Sequence, residues 1–338
     1  MSPPTRRHAL ALAVAALVAA PARAAPRIAP AALDAALDRA RGLEQLNAIV
    51  VAHHGETLAA EAFRGPPVDR PVNVKSVSKT LVAALTGVAI DRGLIAGVDQ
   101  RLTAHVAPPP GADPRVAEIT IDHLLTMRAG LERTSGRNYG GWVNSRNWVA
   151  DALGRPFVAE PGGRFLYSTA SYHLLGAALA RASGRSLLAL ARDWLGGPLG
   201  VEIPPWTRDP QGLYMGGNNM ALSPLALLRF GETARTGGLH DGRRVLPVGW
   251  IDTSWTPRTR SPWSGHRYGY GWFLAESRGR RVAYARGYGG QMVYVVPALG
   301  LTVAVTSDPT RPARSDGHVG ALNALLADAL IPAAEAAA

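Results

Sequence analysis

A chain of 338 residues without cysteine can hold no disulfide, thiolate metal site or cysteine nucleophile. Stability must come from size, and this length suits one large domain or two interleaved ones. The net charge of +11 comes from arginines spread along the sequence, with no dense basic tract and no aromatic ladder, so nucleic-acid binding is disfavoured.

Residues 1–24 read as an export signal. Arg6 and Arg7 precede the apolar run from Ala9 to Ala20, and Ala22-Arg23-Ala24 offers a small-x-small cleavage site. The run is too short to span a bilayer, and Thr5-Arg6-Arg7 resembles a twin-arginine signal. The expected location is periplasmic or secreted; the competing reading is an uncleaved anchor. No other run approaches the length of a membrane span.

An amphipathic helix is expected over Ala31–Arg41. Leu46–Ala52 and Thr57–Phe63 form a hairpin joined by His53-His54-Gly55-Glu56, with the two histidines read as turn residues rather than metal ligands. Ser76–Arg92 reads as a helix closed by Gly93, with Leu81, Leu85 and Ala89 on one face and Ser76 in the first turn. After the breaker Pro108-Pro109-Pro110-Gly111 the text is helix and loop to about Gly265. Thr120 caps a helix from Ile121, and Ser223-Pro224 opens another. Tyr268–Glu276, Arg281–Arg286, Gln291–Val296 and Leu301–Thr306 are strand-like at hairpin spacing, and Asp316–Leu330 closes the chain as a helix.

Strands therefore lie at both ends of the chain and helices in the middle. A lone hairpin is marginal as a sheet. Pairing it with the C-terminal strands gives an α+β fold: one antiparallel sheet flanked by terminal helices, with a mostly helical insertion. The expected division is 25–107 with 266–332 as the sheet domain and 108–265 as the insertion.

All but two of the 36 basic residues are arginine; the exceptions are Lys75 and Lys79. Arginine cannot lose its proton in a protein, whereas a lysine kept from water can. Ser76 stands three residues before Lys79, the S-x-x-K spacing of serine acyl enzymes. Helical positions i and i+3 share a face, so Lys79 can reach Ser76, while Lys75 diverges by ~100°. The bland alternative is a capping serine and a solvated charge.

Two more segments bear on that choice. One is Phe165-Leu166-Tyr167-Ser168-Thr169-Ala170-Ser171-Tyr172-His173, and the other is Ala285-Arg286-Gly287-Tyr288-Gly289-Gly290-Gln291. With the S-x-x-K stretch, with Ile121-Asp122-His123-Leu124-Leu125-Thr126-Met127 and with Gly216-Gly217-Asn218-Asn219-Met220, they resemble the serine β-lactamase-related hydrolases of the class C kind. That group includes penicillin-binding-protein-like esterases, D-aminopeptidases and 6-aminohexanoate-dimer hydrolases. The resemblance runs from about Leu46 to Leu330.

It implies a β-lactamase/transpeptidase-like fold, no cofactor, and a small-molecule ester, amide or peptide-like substrate. By resemblance Ser76 is the acylated nucleophile, Lys79 its amine partner, and Tyr167 a member of the proton shuttle. The N–H groups of Ser76 and Gln291 would form the oxyanion hole, and Thr169, Tyr288, Gly289 and Gly290 would contact substrate. Two departures stand out. Thr169 replaces the Asn of Y-x-N, and Tyr288 stands where the family carries Lys or His. Tyrosine cannot hold a substrate carboxylate as a charge, which favours esters or amides over β-lactams.

Alternatives are a true class C-like β-lactamase and a non-catalytic sensor or binding module on the same fold. The chain lacks the G-x-S-x-G and H-E-x-x-H motifs, and its histidines are scattered, so no metal is expected. His123 and His173 read as helix-packing residues. Trp142, Trp148, Trp263 and Trp272 read as core or cleft wall, with Trp142 and Trp263 also candidates for substrate contact.

Overall fold

The computed structural model describes residues 27–337; the expected export signal and its cleavage site lie outside them. Eight strands form one sheet in the order Glu56–Ala62, Leu46–His53, Leu301–Ser307, Gln291–Val296, Arg280–Gly287, Phe273–Ser277, Arg267–Tyr268, Thr259–Arg260. Every neighbouring pair is antiparallel. The N-terminal hairpin joins the C-terminal strands through the register from Leu46↔Ser307 to His53↔Leu301. The central strands Gln291–Val296 and Leu301–Ser307 are buried along their whole length, as expected for strands covered on both faces.

The terminal helices Pro30–Arg41 and His318–Leu325 pack together. The helices Val77–Asp91 and Pro224–Arg235 also lie against the sheet. Val77–Asp91 is not the one-faced helix that Leu81, Leu85 and Ala89 imply. All residues from Val77 to Ala89 are buried, because it also contacts the helix Thr169–Ser183. A helix apolar all round is a core helix. Among the described residues no single helix is long and apolar enough to cross a membrane.

Several local expectations change. The hairpin turn is His54-Gly55 alone, both with positive φ (50° and 89°), as a two-residue turn with primed geometry requires. His53 belongs to the strand and is buried, with neither ring nitrogen hydrogen-bonded. The stretch Tyr268–Glu276 is two strands. Gly271, with φ 77°, turns the chain between them, and its carbonyl accepts the Thr80 hydroxyl of the core helix at 2.7 Å. The last helix begins at His318, widens to a π turn over Leu326–Leu330 and continues through Ile331–Glu335. The capped starts at Thr120 and Ser223 are present, each side chain accepting a backbone N–H of the first turn.

Gly87 lies inside the core helix, where alanine is ordinarily better by about 1 kcal/mol. Here a Cβ would sit 2.4 Å from ring atoms of Trp250. Overpacking of this kind costs about 1–3 kcal/mol. Gly87→Ala is therefore expected to lower Tm in scanning calorimetry despite its better helix propensity.

Candidate active site

The core helix is entered through a sharp turn. Asn73 ends a short strand, and its side-chain oxygen accepts the Lys75 N–H at 2.9 Å. Lys75 takes φ 50°, a left-handed conformation that costs a non-glycine residue on the order of 1 kcal/mol. Ser76 then stands at the helix start with its hydroxyl facing a cleft of about 670 Å³. There the first-turn N–H groups and the helix dipole favour negative charge.

Lys79, one turn on, is 1% exposed. Its Nζ lies 2.9 Å from Ser76 Oγ and 2.5 Å from the Gly217 carbonyl oxygen, and 4.9 Å from the centre of the Tyr167 ring. Burial pushes the amine from 10.5 down to about 7. Burial pushes the Tyr167 phenol the other way, above its ordinary range, while the Ser76 hydroxyl and the Arg286 charge pull it partly back. At neutral pH the site thus holds an amine able to accept a proton and a phenol able to give one.

The third wall is the end of the strand Arg280–Gly287. A Cβ on Gly287 would fall 2.4 Å from the Val74 carbonyl and 3.1 Å from Lys75 Cβ, so only glycine lets this strand close on the Ser76 turn. Tyr288 follows immediately, half exposed at 53%, and lines the cleft. Lys75, Arg133 and Arg286 also line it, and among the described residues no aspartate or glutamate does. Arg133 stacks 5.1 Å from the ring centre of Trp263, which is 57% exposed.

The beta-lactamase family model matches residues 40–328 of this sequence. The chain belongs to the beta-lactamase family. The probable fimbrial assembly protein FimD of Dichelobacter nodosus is 31% identical over 163 residues, a stretch covering 44% of this chain and only 40% of that relative. A putative 6-aminohexanoate-dimer hydrolase from Bacillus anthracis has a similar structure, with TM-score 0.72 and 17% identity over 89% of this chain and 81% of that one. EstCE1, described as a hydrolase with promiscuous acyltransferase activity, gives TM-score 0.70 and 19% identity over 89% of this chain and 97% of that one. These likenesses establish the beta-lactamase/transpeptidase-like fold.

Within that fold the structure brings Ser76, Lys79 and Tyr167 together and sets Thr169 and Tyr288 on the cleft wall. It does not bring Gly289, Gly290 or Gln291 there. A Cβ on Gly289 would meet the Asp308 carbonyl at 2.3 Å, and one on Gly290 would meet the His318 ring at 2.7 Å, so Gly289 lies against the loop after the last strand and Gly290 against the start of the C-terminal helix. Gln291 is 1% exposed and pairs with Gly287 in the ladder, and its side chain is bound to the Ser307 backbone at 2.8 and 3.0 Å. Thr169 bonds Ser135, at 2.9 Å, rather than Lys79; the Gly217 carbonyl is what Lys79 meets. Trp142 is fully buried, its indole N–H bonded to the Trp148 carbonyl, and so is no substrate contact. Trp263 does line the cleft. Gly217 escaped the sequence because a carbonyl direction has no residue signature.

The buried amine also sets a pH dependence of stability. Below about pH 7 folded and unfolded chains both carry the Lys79 proton, and the fold bears the full cost of a buried ammonium. Between about 7 and 10.5 only the unfolded chain holds it, so this residue's contribution to stability rises with pH. Lys79→Met removes the cost and is expected to raise Tm more at pH 6 than at pH 9, as thermal melts at the two values would reveal.

Proposed function

We propose that this protein is an exported serine hydrolase that cleaves ester or amide bonds through an acyl-Ser76 intermediate. The observation that carries the reading is the buried Lys79 amine, near pKa 7 and 2.9 Å from Ser76 Oγ. A serine hydroxyl needs such a base to become a nucleophile.

The neutral amine takes the Ser76 proton as Oγ attacks the carbonyl carbon. The oxyanion that develops accepts hydrogen bonds from the N–H groups of Ser76 and Tyr288. Tyr288 takes this role in place of Gln291 because it follows Gly287 at the point where the strand touches the Ser76 turn. Each such donor is worth roughly 3–4 kcal/mol of transition-state stabilisation. The tetrahedral centre collapses with loss of the alcohol or amine. The leaving group receives its proton from the Tyr167 phenol, which is resupplied by the Lys79 ammonium. Water then enters, loses a proton to the same pair and attacks the acyl carbon, and Ser76 leaves as the alcohol.

The leading substrates are short-chain esters and small amides, because Tyr288 presents no charge to a β-lactam carboxylate. A second reading, a true β-lactamase, is favoured by one observation: Lys75, Arg133 and Arg286 make the cleft cationic, with no acid among the described residues of its wall. The open cleft and the paired Ser76 and Lys79 count against a sensor that only binds.

Ser76→Ala is expected to abolish hydrolysis of p-nitrophenyl butyrate and labelling by a fluorophosphonate. Lys79→Arg is expected to lower kcat by at least about a hundredfold, since arginine keeps the charge but accepts no proton. In the unmodified enzyme kcat/KM should climb with pH through about 7, as Lys79 deprotonates. A higher kcat/KM on nitrocefin than on p-nitrophenyl butyrate would replace the esterase reading by the β-lactamase one. Export is tested by the intact mass of protein from a periplasmic extract, with Ala25 as the expected first residue.

A further inference from the structure

A second buried ionisable cluster lies behind the cleft and takes no part in the chemistry above. His173 and Asp209 have side chains with no exposed surface, and His173 Nε2 meets Asp209 Oδ2 at 3.2 Å. Burial works against the Asp209 carboxylate, but the His173 bond and the backbone N–H groups of Leu213 and Gln211 outweigh it and hold the group below the usual carboxylate range. Asp209 Oδ1 accepts those N–H groups at 2.8 and 2.9 Å. The imidazole is fixed edge-on between Trp142 and Trp148, at 5.6 and 5.5 Å.

The two residues belong to two elements that must keep register. Asp209 sits in the turn of a small hairpin closed by Asp209 N–H to Leu213 O and Met215 N–H to Thr207 O. The arm leaving that hairpin carries Gly216 and Gly217, which lie backbone to backbone on the helix Thr169–Ser183. A Cβ on either would come within 2.1 Å of the Tyr172 carbonyl or 2.4 Å of the Thr169 carbonyl. His173 is one turn into that same helix, and Tyr167 stands just before its start. At the end of the arm the Gly217 carbonyl meets Lys79 Nζ at 2.5 Å.

We infer that the buried His173–Asp209 pair is a positioning clamp for the catalytic amine: it locks the hairpin onto the Tyr167 helix and so holds the Gly217 carbonyl where it aims Lys79 at Ser76. The inference rests on the assignment of Lys79 as the base. The carbonyl takes one amine N–H and so directs the lone pair toward Ser76 Oγ. A carbonyl beside an amine also favours the charged form, so losing it lowers the amine pKa. Small misplacements of a catalytic group cost rate steeply.

The test compares full-length variants on p-nitrophenyl butyrate. His173→Phe keeps a ring between the two tryptophans but removes the donor. Its kcat is expected to fall by at least about tenfold with KM within about twofold, because aim rather than binding is lost. The rising limb of its kcat/KM profile should move to lower pH. His173→Gln restores an N–H toward Asp209 and should return both kcat and the limb toward the original. If His173→Phe does not fold, Asp209→Asn is read the same way, since it keeps the side-chain volume while removing the charge-assisted bond. A variant with lower Tm but unchanged kcat, KM and limb overturns the inference and leaves the pair a purely structural contact. Activity surviving in Ser76→Ala would instead overturn the functional assignment, a different result.

Discussion

A single lysine amine held out of water with no carboxylate beside it governs this structure. The drop from 10.5 to about 7 corresponds to a preference for the neutral form on the order of 5 kcal/mol. A salt bridge would cancel that preference and leave a cation unable to accept a proton. The surroundings of Lys79 avoid one: its polar contacts are a hydroxyl and a carbonyl, and an aromatic ring closes the third side. Arginine, used at nearly every other basic position, could not serve here.

Keeping that amine dry requires a helix buried all round, and the chain's order follows from this. The core helix is covered on one side by a sheet built from both ends of the sequence and on the other by the helical middle. The cleft opens where these three parts meet. The N-terminal part supplies Ser76, the middle supplies Tyr167 and the Gly217 carbonyl, and the C-terminal strand supplies Gly287 and Tyr288. Aromatic packing joins the walls: Tyr167 stacks on Phe273 at 6.5 Å, and Phe165 meets Trp263 edge-on at 6.2 Å. Positive charge lines the cleft, on the half-buried Lys75, Arg133 and Arg286.

Much of this is legible in the sequence. Period-two runs bounded by turns marked the strands, and caps at Thr120 and Ser223 marked helix starts, because these signals act over a few residues. The S-x-x-K spacing put Ser76 and Lys79 on one helical face, where the structure has them 2.9 Å apart. What the text misjudged was non-local. His53 looked like a turn residue but fills a strand, since a polar ring can be buried when the sheet covers it. Trp142, read as core or cleft wall with substrate contact as the alternative, is core, packed against His173.

The alignment of the third motif is the instructive case. Tyr288-Gly289-Gly290-Gln291 reads as a motif followed by its oxyanion donor, yet the chain turns at those glycines, and Gln291 is already on the returning strand opposite Gly287. Only the close approach of Gly287 to Val74 shows that the strand meets the Ser76 turn before those glycines. The sequence by itself determined the family, the order of strands and helices, and the residues able to exchange a proton, because these depend on side-chain chemistry and short-range periodicity. The tertiary structure decided the basicity of Lys79, the carbonyl it meets and which strand end closes on the Ser76 turn. Burial and backbone direction arise from contacts between distant segments, and no single stretch of residues encodes them.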